Sequence, residues 1–509
     1  MEFKSILYLE GGPGPTGAGT PVPAFARDIN FDQIVEAITA SRQEYDLKGF
    51  FYAPLQELDG ILYRQEVMRD LELDDLNAAV RAFCTQMTTV RQHLLQAGKI
   101  DYPLQKERWY LEAATVYCDA VQDLSRSLES SRPKSRGFRA FQQFLTHYAE
   151  SAGFTSLSQE AGRIRQALSE LTYTVSIQGA TFRVRKYDQE EDYGQAVARF
   201  FEKFKQGAVK DWRSQFREWP GMNHVEEKIL FFVSQLFPEP FSALAAFHVN
   251  HVEFLFEPIT AFDREVQFYL AYLEFTAPLD QAGLKFCYPN LTRTTKAVHA
   301  VDFFDLALAH KLVRAKAPVV VNDFRLEGQE RIIVITGPNQ GGKTTFARAF
   351  AQVHVLGCLG CPVPGREAQL FLYDRLYTHF EQEEAAANLH GKLQDELMRM
   401  HAILSQANSN SLIVINEIFA STTWQDATAM ATKVIGRVLE LDALGVCVTF
   451  LDELAGMSAK TVSMVSTVAP EHDHARTFRI VRQPANGLAY ALSLAASYRL
   501  TYDQLLERL

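Results

Sequence analysis

Arg331-Ile332-Ile333-Val334-Ile335-Thr336-Gly337-Pro338-Asn339-Gln340-Gly341-Gly342-Lys343-Thr344-Thr345 decides the fold class of this chain. The run Ile332 to Ile335 is wholly β-branched and predicts a strand buried on both faces. Gly337 to Thr344 has the form G-x-x-x-x-G-K-[ST], and Thr345-Phe346-Ala347-Arg348 opens a helical pattern behind it. Strand, loop and helix in that order form the context a phosphate-binding loop requires. Glycines let backbone N–H groups turn inward around phosphates, and the helix N-terminus adds the positive end of its dipole. Lys343 is then expected to reach the β- and γ-phosphates, and Thr344 to offer a hydroxyl to Mg²⁺. The pattern predicts binding of ATP or GTP with Mg. Gly337, Pro338, Asn339, Gln340, Gly341, Gly342, Lys343, Thr344 and Thr345 are the expected nucleotide contacts.

Working outward, the apolar runs Val319-Val320-Val321, Leu412-Ile413-Val414-Ile415 and Val446-Cys447-Val448 alternate with helical patterns. That alternation predicts an α/β domain with a largely parallel sheet over residues 301–509. The second run ends in Asn416-Glu417. A P-loop enzyme needs a carboxylate at the end of a neighbouring strand to hold Mg²⁺ through its water shell. Asn416 can accept a hydrogen bond from a metal-bound water but brings no charge, whereas Glu417 is placed to act as general base or to orient the attacking water. The plainer alternative is a strand end with a capping Asn.

Upstream the texture is helical. Residues 10–24 are rich in Gly, Pro and Thr, so 1–27 reads as a flexible segment. From 28 to about 170 apolar residues recur at three- and four-residue spacing. Tyr173 to Gln178 and Thr181 to Arg185 alternate around Gly179-Ala180, which predicts a β-hairpin. A helix with Phe200, Phe201 and Phe204 follows, carrying Lys203, Lys210 and Arg213. Such a charge run is either a solvated face or a set of phosphate contacts. Helical pattern returns over 221–300.

Composition narrows the functions. A chain of 509 residues exceeds a single hydrophobic core. With 51 Lys plus Arg against 61 Asp plus Glu the net charge is −10, which excludes a uniformly basic nucleic-acid coat and leaves only a local patch for DNA. Six cysteines make no disulfide framework, and the pair Cys358 and Cys361 lacks the second pair of a zinc site. No apolar stretch reads as a signal peptide or a membrane span, so a cytoplasmic protein without membrane contact is expected.

The loop Thr336 to Thr345 resembles the T-G-P-N-M-G-G-K-S-T loop of MutS-type DNA mismatch-repair ATPases, a branch of the ABC ATPases. The resemblance continues through Gly360-Cys361-Pro362-Val363-Pro364, Asp374-Arg375, Asn416-Glu417-Ile418, Asp426, Thr449-Phe450-Leu451-Asp452-Glu453-Leu454 and Gly487-Leu488-Ala489-Tyr490-Ala491. Upstream, Pro54-Leu55 and Ile61-Leu62-Tyr63-Arg64-Gln65-Glu66-Val67 are similar to the start of that family's core domain. Three positions depart from the pattern. Asn416 stands for the Mg²⁺-associated Asp, Phe450 for the switch His, and Gly391-Lys392-Leu393 for the signature S-T-F whose Ser reaches the partner subunit's nucleotide. No F-x-E motif of a mismatch-reading domain occurs in residues 1–60, and base-by-base mismatch reading is not expected.

The resemblance implies a helical core/lever and clamp region followed by an α/β P-loop ATPase domain of ABC type. The expected division is 1–27 flexible, 28–170 core/lever, 171–220 clamp-like hairpin and helix, 221–300 core/lever return, and 301–509 ATPase. It implies a homodimer that closes on ATP and Mg and relays the closure to a clamp on distorted or branched DNA. Hydrolysis is expected to be slow. Lys343, Asn416 and Glu417 are the catalytic candidates, Asp426 and Lys392 further nucleotide contacts, and Thr344 and Asn416 the Mg ligands, the latter through water. Arg183, Arg185, Lys186, Lys203, Lys210 and Arg213 are the DNA candidates, although the hairpin equally suits a packed core element. The competing expectation is a nucleotide-gated scaffold for a protein or ribonucleoprotein partner with little ATPase activity.

Overall fold

The computed structural model describes residues 3–9, 21–179, 181–189, 222–381, 391–468 and 476–485, with the single positions 200, 502 and 506. The chain divides into two compact units. One holds Glu72–Pro133 and Arg139–Asp263; the other holds Phe3–Leu71, Lys134–Phe138 and Arg264–Leu509.

The first unit is helical with one hairpin. Helix Asp74–Lys99 buries Leu76, Val80, Phe83, Met87 and Val90, and helix Pro103–Ser131 buries Leu111, Ala114, Tyr117, Val121, Leu124 and Leu128. Spacings of three and four place each set on one stripe, and the two helices pack together along those stripes. Pro103 opens the second helix, where its missing N–H leaves no bond unmade. Asn223 caps helix His224–Leu236 in a full capping box with Glu226. The expected hairpin is present: β1 (Tyr173–Gln178) pairs antiparallel with β2 (Thr181–Lys186), from Tyr173 opposite Lys186 to Gln178 opposite Thr181. Phe182 and Val184 are half-buried on one face of β2, and Arg183 and Arg185 stand exposed on the other.

The second unit contains β3 (Phe286–Cys287), β4 (Asn290–Thr292), β5 (Val298–Phe303), β6 (Asn322–Leu326), β7 (Ile332–Thr336), β8 (Val363–Pro364), β9 (Glu367–Phe371), β10 (Leu376–His379), β11 (Leu412–Asn416), β12 (Leu444–Val448), β13 (Thr461–Val468) and β14 (Arg476–Arg482). Six of them form one sheet in the order β10-β11-β12-β7-β13-β14, parallel except for β14. Every residue of β7, β11 and β12 is buried, which explains why these strands read as unbroken apolar runs. Helix Lys343–Cys358 is buried over almost its whole length, and Ala427, Ala431, Val434, Ile435 and Val438 of helix Trp424–Glu440 join Ile413, Ile415 and Cys447 in a shared core. A second sheet has the order β4-β9-β5-β6.

Two expectations meet different facts here. The division drawn at residue 300 falls inside this unit, because β4 at Asn290–Thr292 pairs with β9 at Gln369–Phe371. Residues 3–8, within the stretch expected to be flexible, are tied into the core. Ile6 and Leu7 are fully buried, the Ser5 hydroxyl donates to Glu265 at 2.7 Å, and Tyr63 and Tyr269 donate to the carbonyls of Ser5 and Ile6, each at 2.7 Å. The fully buried Arg64 donates to the Leu7 carbonyl at 3.0 Å and the Leu359 carbonyl at 3.2 Å.

Gly445 allows β11 and β12 to approach. A Cβ there would lie 2.3 Å from the Ile413 carbonyl oxygen, a backbone atom that cannot swing away. Gly445→Ala is therefore expected to lower stability by about 3 kcal/mol, read by chemical denaturation. Gly456→Ala, where the added methyl meets open space, should stay within ~0.5 kcal/mol of the parent.

His354 supplies a pH signature. Its ring is fully buried, Nδ1–H donates to the Phe350 carbonyl at 2.8 Å, and burial pushes the imidazole down to about 4. An unfolded His titrates near ~6.5, so the folded state holds the neutral form that the unfolded chain gives up first. The contribution is complete above that pH and is lost as pH falls toward 4. His354→Phe should narrow the loss of stability between pH 7 and pH 5, and an unchanged pH profile would refute this.

Candidate functional site

β7 feeds directly into the glycine loop, where Gly337, Gln340 and Gly342 take φ values of 115°, 60° and 89°. The reason for glycine is the neighbouring strand β13. A Cβ on Gly337 would meet the Ser466 carbonyl oxygen at 3.0 Å, and one on Gly341 would meet Ser466 Oγ at 2.2 Å. Ser466 is fully buried and its hydroxyl donates to the Gly341 carbonyl at 2.7 Å, fixing the loop from outside.

Lys343 stands at the first position of helix Lys343–Cys358 and folds back over the loop. Its Nζ donates to the carbonyls of Gly337 at 2.7 Å and Pro338 at 3.1 Å, and to Asn339 Oδ1 at 3.3 Å. Burial pushes its amine down, the Glu417 carboxylate draws it back up, and Arg476 pushes it down again. The Thr344 hydroxyl donates to Asn416 Oδ1 at 2.9 Å at the end of β11. Glu417 follows with φ 55°, and its N–H donates to the Val448 carbonyl at 2.9 Å. That left-handed turn accompanies a change of role, from a strand residue to one lining a cavity of about 710 Å³ with Asn339 to Phe346.

Apart from Asp305 and Asn322, the rest of that cavity is apolar. Phe303, Phe304, Leu308, Pro318, Val319, Val320 and Phe478 line it. Here the reading of Val319-Val320-Val321 as a strand is corrected: β6 begins only at Asn322, and the valines lie in a loop from which Val319 and Val320 line the cavity. One concave space thus combines a ring of backbone donors, an ammonium, a carboxylate and a flat apolar wall, the complement of a nucleoside triphosphate. Thr344 and Asn416 present adjacent neutral oxygens suited to a hard cation held through water. Among the described residues no group of three or more His, Cys, Asp and Glu could hold a metal unaided. These donors fit Mg²⁺ that arrives on phosphate.

Asp426 and Lys392 do not line this cavity. Asp426 lies in the first turn of helix Trp424–Glu440, where its carboxylate accepts from the Thr423 hydroxyl at 2.8 Å and its N–H donates to the same hydroxyl at 3.3 Å. Lys392 opens helix Lys392–Gln406 beside Gly391 and pairs with Glu381. Phe450 is 40% exposed and packs against the half-exposed Trp424 with ring centroids 5.7 Å apart. Glu396 accepts the Phe419 N–H at 3.1 Å, joining helix Lys392–Gln406 to the turn after Glu417.

The DNA candidates Arg183, Arg185 and Lys186 lie on β2 in the first unit, with the Lys186 ammonium 5.1 Å from the centre of the Phe237 ring. Lys203, Lys210 and Arg213 lie outside the described residues, as do Gly487 to Ala491. Sequence reasoning missed Ser466, Trp424, Asn322, Phe478 and the apolar wall. Only the β-branched cluster at 319–321 carried a signal, and periodicity assigned it to a strand.

Residues 333–500 match the family model of MutS domain V. Three curated proteins similar to this chain are each described as a DNA mismatch repair protein MutS. That of Oleidesulfovibrio alaskensis is 33% identical over 138 residues, 27% of this chain and 15% of the relative. That of Brevibacillus brevis is 29% identical over 248 residues, 48% of this chain and 27% of the relative. That of Thermus aquaticus is 30% identical over 189 residues, 37% of this chain and 23% of the relative. The chain matches less than a third of the length of each.

Gly341→Ala drives a methyl into Ser466 and should weaken Mg-ATP binding by about tenfold or more, measured by calorimetric titration. Gly153→Ala, which meets open space, is the control. Full affinity in the first variant would show that the loop does not hold the phosphates.

Proposed function

From the premise that residues 333–500 are of the MutS family, we propose that this protein is an ATP-dependent DNA-binding ATPase. In this reading it is a dimeric clamp gated by ATP on distorted or branched DNA, serving DNA repair or recombination. The observation that carries the reading is the single cavity shared by the glycine loop, Lys343, Glu417 and an apolar wall. The loop N–H groups and the dipole of the buried helix Lys343–Cys358 bind the phosphates, with Lys343 exchanging its three loop acceptors for phosphate oxygens. Glu417 orients the attacking water, held in place by its backbone bond to Val448. Thr344 and Asn416 would hold Mg²⁺, which when bound offsets charge on the β- and γ-phosphates.

Turnover is slow in this reading. Asn416 offers the metal's water shell an acceptor but no negative charge, and Phe450 has no proton or hydrogen bond to give. Losing one preorganised group of this kind costs about 10²–10³ in rate. ATP gates the clamp only insofar as the closed dimer binds it more tightly than the open one. The exposed face of β2, with Arg183 and Arg185, supports DNA contact through phosphates by a local basic patch on a chain of net charge −10. The relatives' description as mismatch repair proteins supports DNA as the partner. The neutral Asn416 and apolar Phe450 favour a second reading, a nucleotide-gated scaffold with little hydrolysis.

Steady-state ATP hydrolysis with and without DNA separates the two. The ATPase reading expects DNA-responsive turnover that Glu417→Ala lowers by about 10²–10³ and Asn416→Asp raises. ATP-dependent dimerisation with no turnover above that of Glu417→Ala would establish the scaffold instead. Binding to homoduplex, mismatched and branched DNA across a salt series tests the partner, and absence of binding throughout removes DNA from the proposal.

A further inference from the structure

Phe478 is an aromatic residue in the left-handed region, with φ 57°. That conformation costs an L-residue roughly 1 kcal/mol or more and persists where the surroundings enforce it, often at ligand clamps. Two things enforce it here. The pairing of β13 with β14 shifts register between Ser466 and Val468, so the chain near Phe478 leaves the regular ladder. Asn322, the first residue of β6, then grips both sides of the irregularity. Its Nδ2 donates to the Phe478 carbonyl at 3.2 Å, and its Oδ1 accepts the Ile480 N–H at 2.7 Å. Asn322 belongs to the four-stranded sheet and β14 to the six-stranded one, so a single side-chain amide joins the edges of the two sheets. Arg482 of β14, paired with Glu330 in the β6–β7 turn, is a second tie between the same segments.

The gripped residues face the candidate site. Phe478 and Asn322 both line the cavity, and the Phe478 Cβ lies 3.7 Å from where a Cβ on Gly342 would stand. Ile480 is the register partner of Ser466, the residue that braces Gly341. One strand pair therefore supports the phosphate loop through Ser466 and the part of the cavity wall that adjoins Gly342 through Phe478. The Asn322 amide is committed to two backbone partners, which suits it to hold that wall and not to read the base itself.

We propose that Asn322 is a positioning residue for nucleotide binding: it pins β14 in the strained turn that sets Phe478 against the base of the bound nucleotide. The proposal rests on the reading of this cavity as a nucleotide site. It separates the two ends of the ligand, since base affinity depends on Asn322 and phosphate affinity on the Ser466-braced loop.

The experiment compares Mg-ATP with inorganic tripolyphosphate, which has no base, on the full chain. Asn322→Ala should weaken ATP binding by about tenfold, the worth of one aromatic–base contact, and leave tripolyphosphate within about twofold. Asn322→Asp keeps the acceptor for the Ile480 N–H but loses the donor to Phe478, and should fall between. Phe478→Ala should show the same split, and the double variant Asn322→Ala with Phe478→Ala little further loss. Parallel loss of both ligands in the Asn322 variants, or no loss of either, overturns the proposal. If the unaltered protein binds tripolyphosphate and ATP equally, the base wall is refuted while the phosphate site stands. If it binds neither, the nucleotide reading itself falls.

Discussion

The hydrogen bond from the Ser466 hydroxyl to the Gly341 carbonyl is the constraint on which the candidate site depends. It requires β13 to run parallel beside β7, with Val465 opposite Thr336, so that Ser466 arrives level with the loop. It requires glycine at 337 and 341, because any side chain there would occupy the space that Ser466 and its backbone fill. With the loop set, the helix that follows starts with its N–H groups aimed into the cavity, and Lys343 and Thr344 take their places on its first turn. Thr344 then meets Asn416, and the strand order places Glu417 one residue beyond.

The electrostatics of the site follow from one substitution of type. A carboxylate at 416 would put a second negative charge beside Glu417, whereas an amide leaves Glu417 as the acid that chiefly opposes the buried Lys343. The ammonium is pushed down by burial and by the charge of Arg476 while Glu417 draws it up, and Asp305 adds a second carboxylate to the cavity lining. The slow turnover proposed above rests on that neutral amide at 416.

What could be read in the sequence divides along physical lines. The wholly buried strands β7, β11 and β12 were legible because burial on both faces forces continuous apolar runs, and the glycine loop because its pattern is contiguous in the chain. The β1–β2 hairpin was legible from alternation about Gly179. Ser466 and Asn322 were not, since each acts through a partner more than a hundred residues away and neither residue type marks its position. The valines at 319–321 misled because a β-branched run records burial without saying whether a sheet or a ligand cavity provides it. The boundary near residue 300 was misplaced for a related reason: β4 owes its place to β9, and nothing within 290–292 announces that distant pairing.

The tie between Ser5 and Glu265 has a consequence for how the chain is made. These residues are 260 positions apart, and Arg64 and Gly360 likewise meet only after most of the protein exists. During synthesis, which proceeds from the N-terminus, the residues of the helical unit up to Asp263 are complete before Glu265 and Tyr269, the later partners of Ser5 and Ile6, have emerged from the ribosome. The unit that holds the candidate site must therefore keep residues 5–7 waiting until Glu265 and Tyr269 are delivered. Closing a loop of that length carries an entropy cost, and the apolar Ile6 and Leu7 need protection on the nascent chain until it is met.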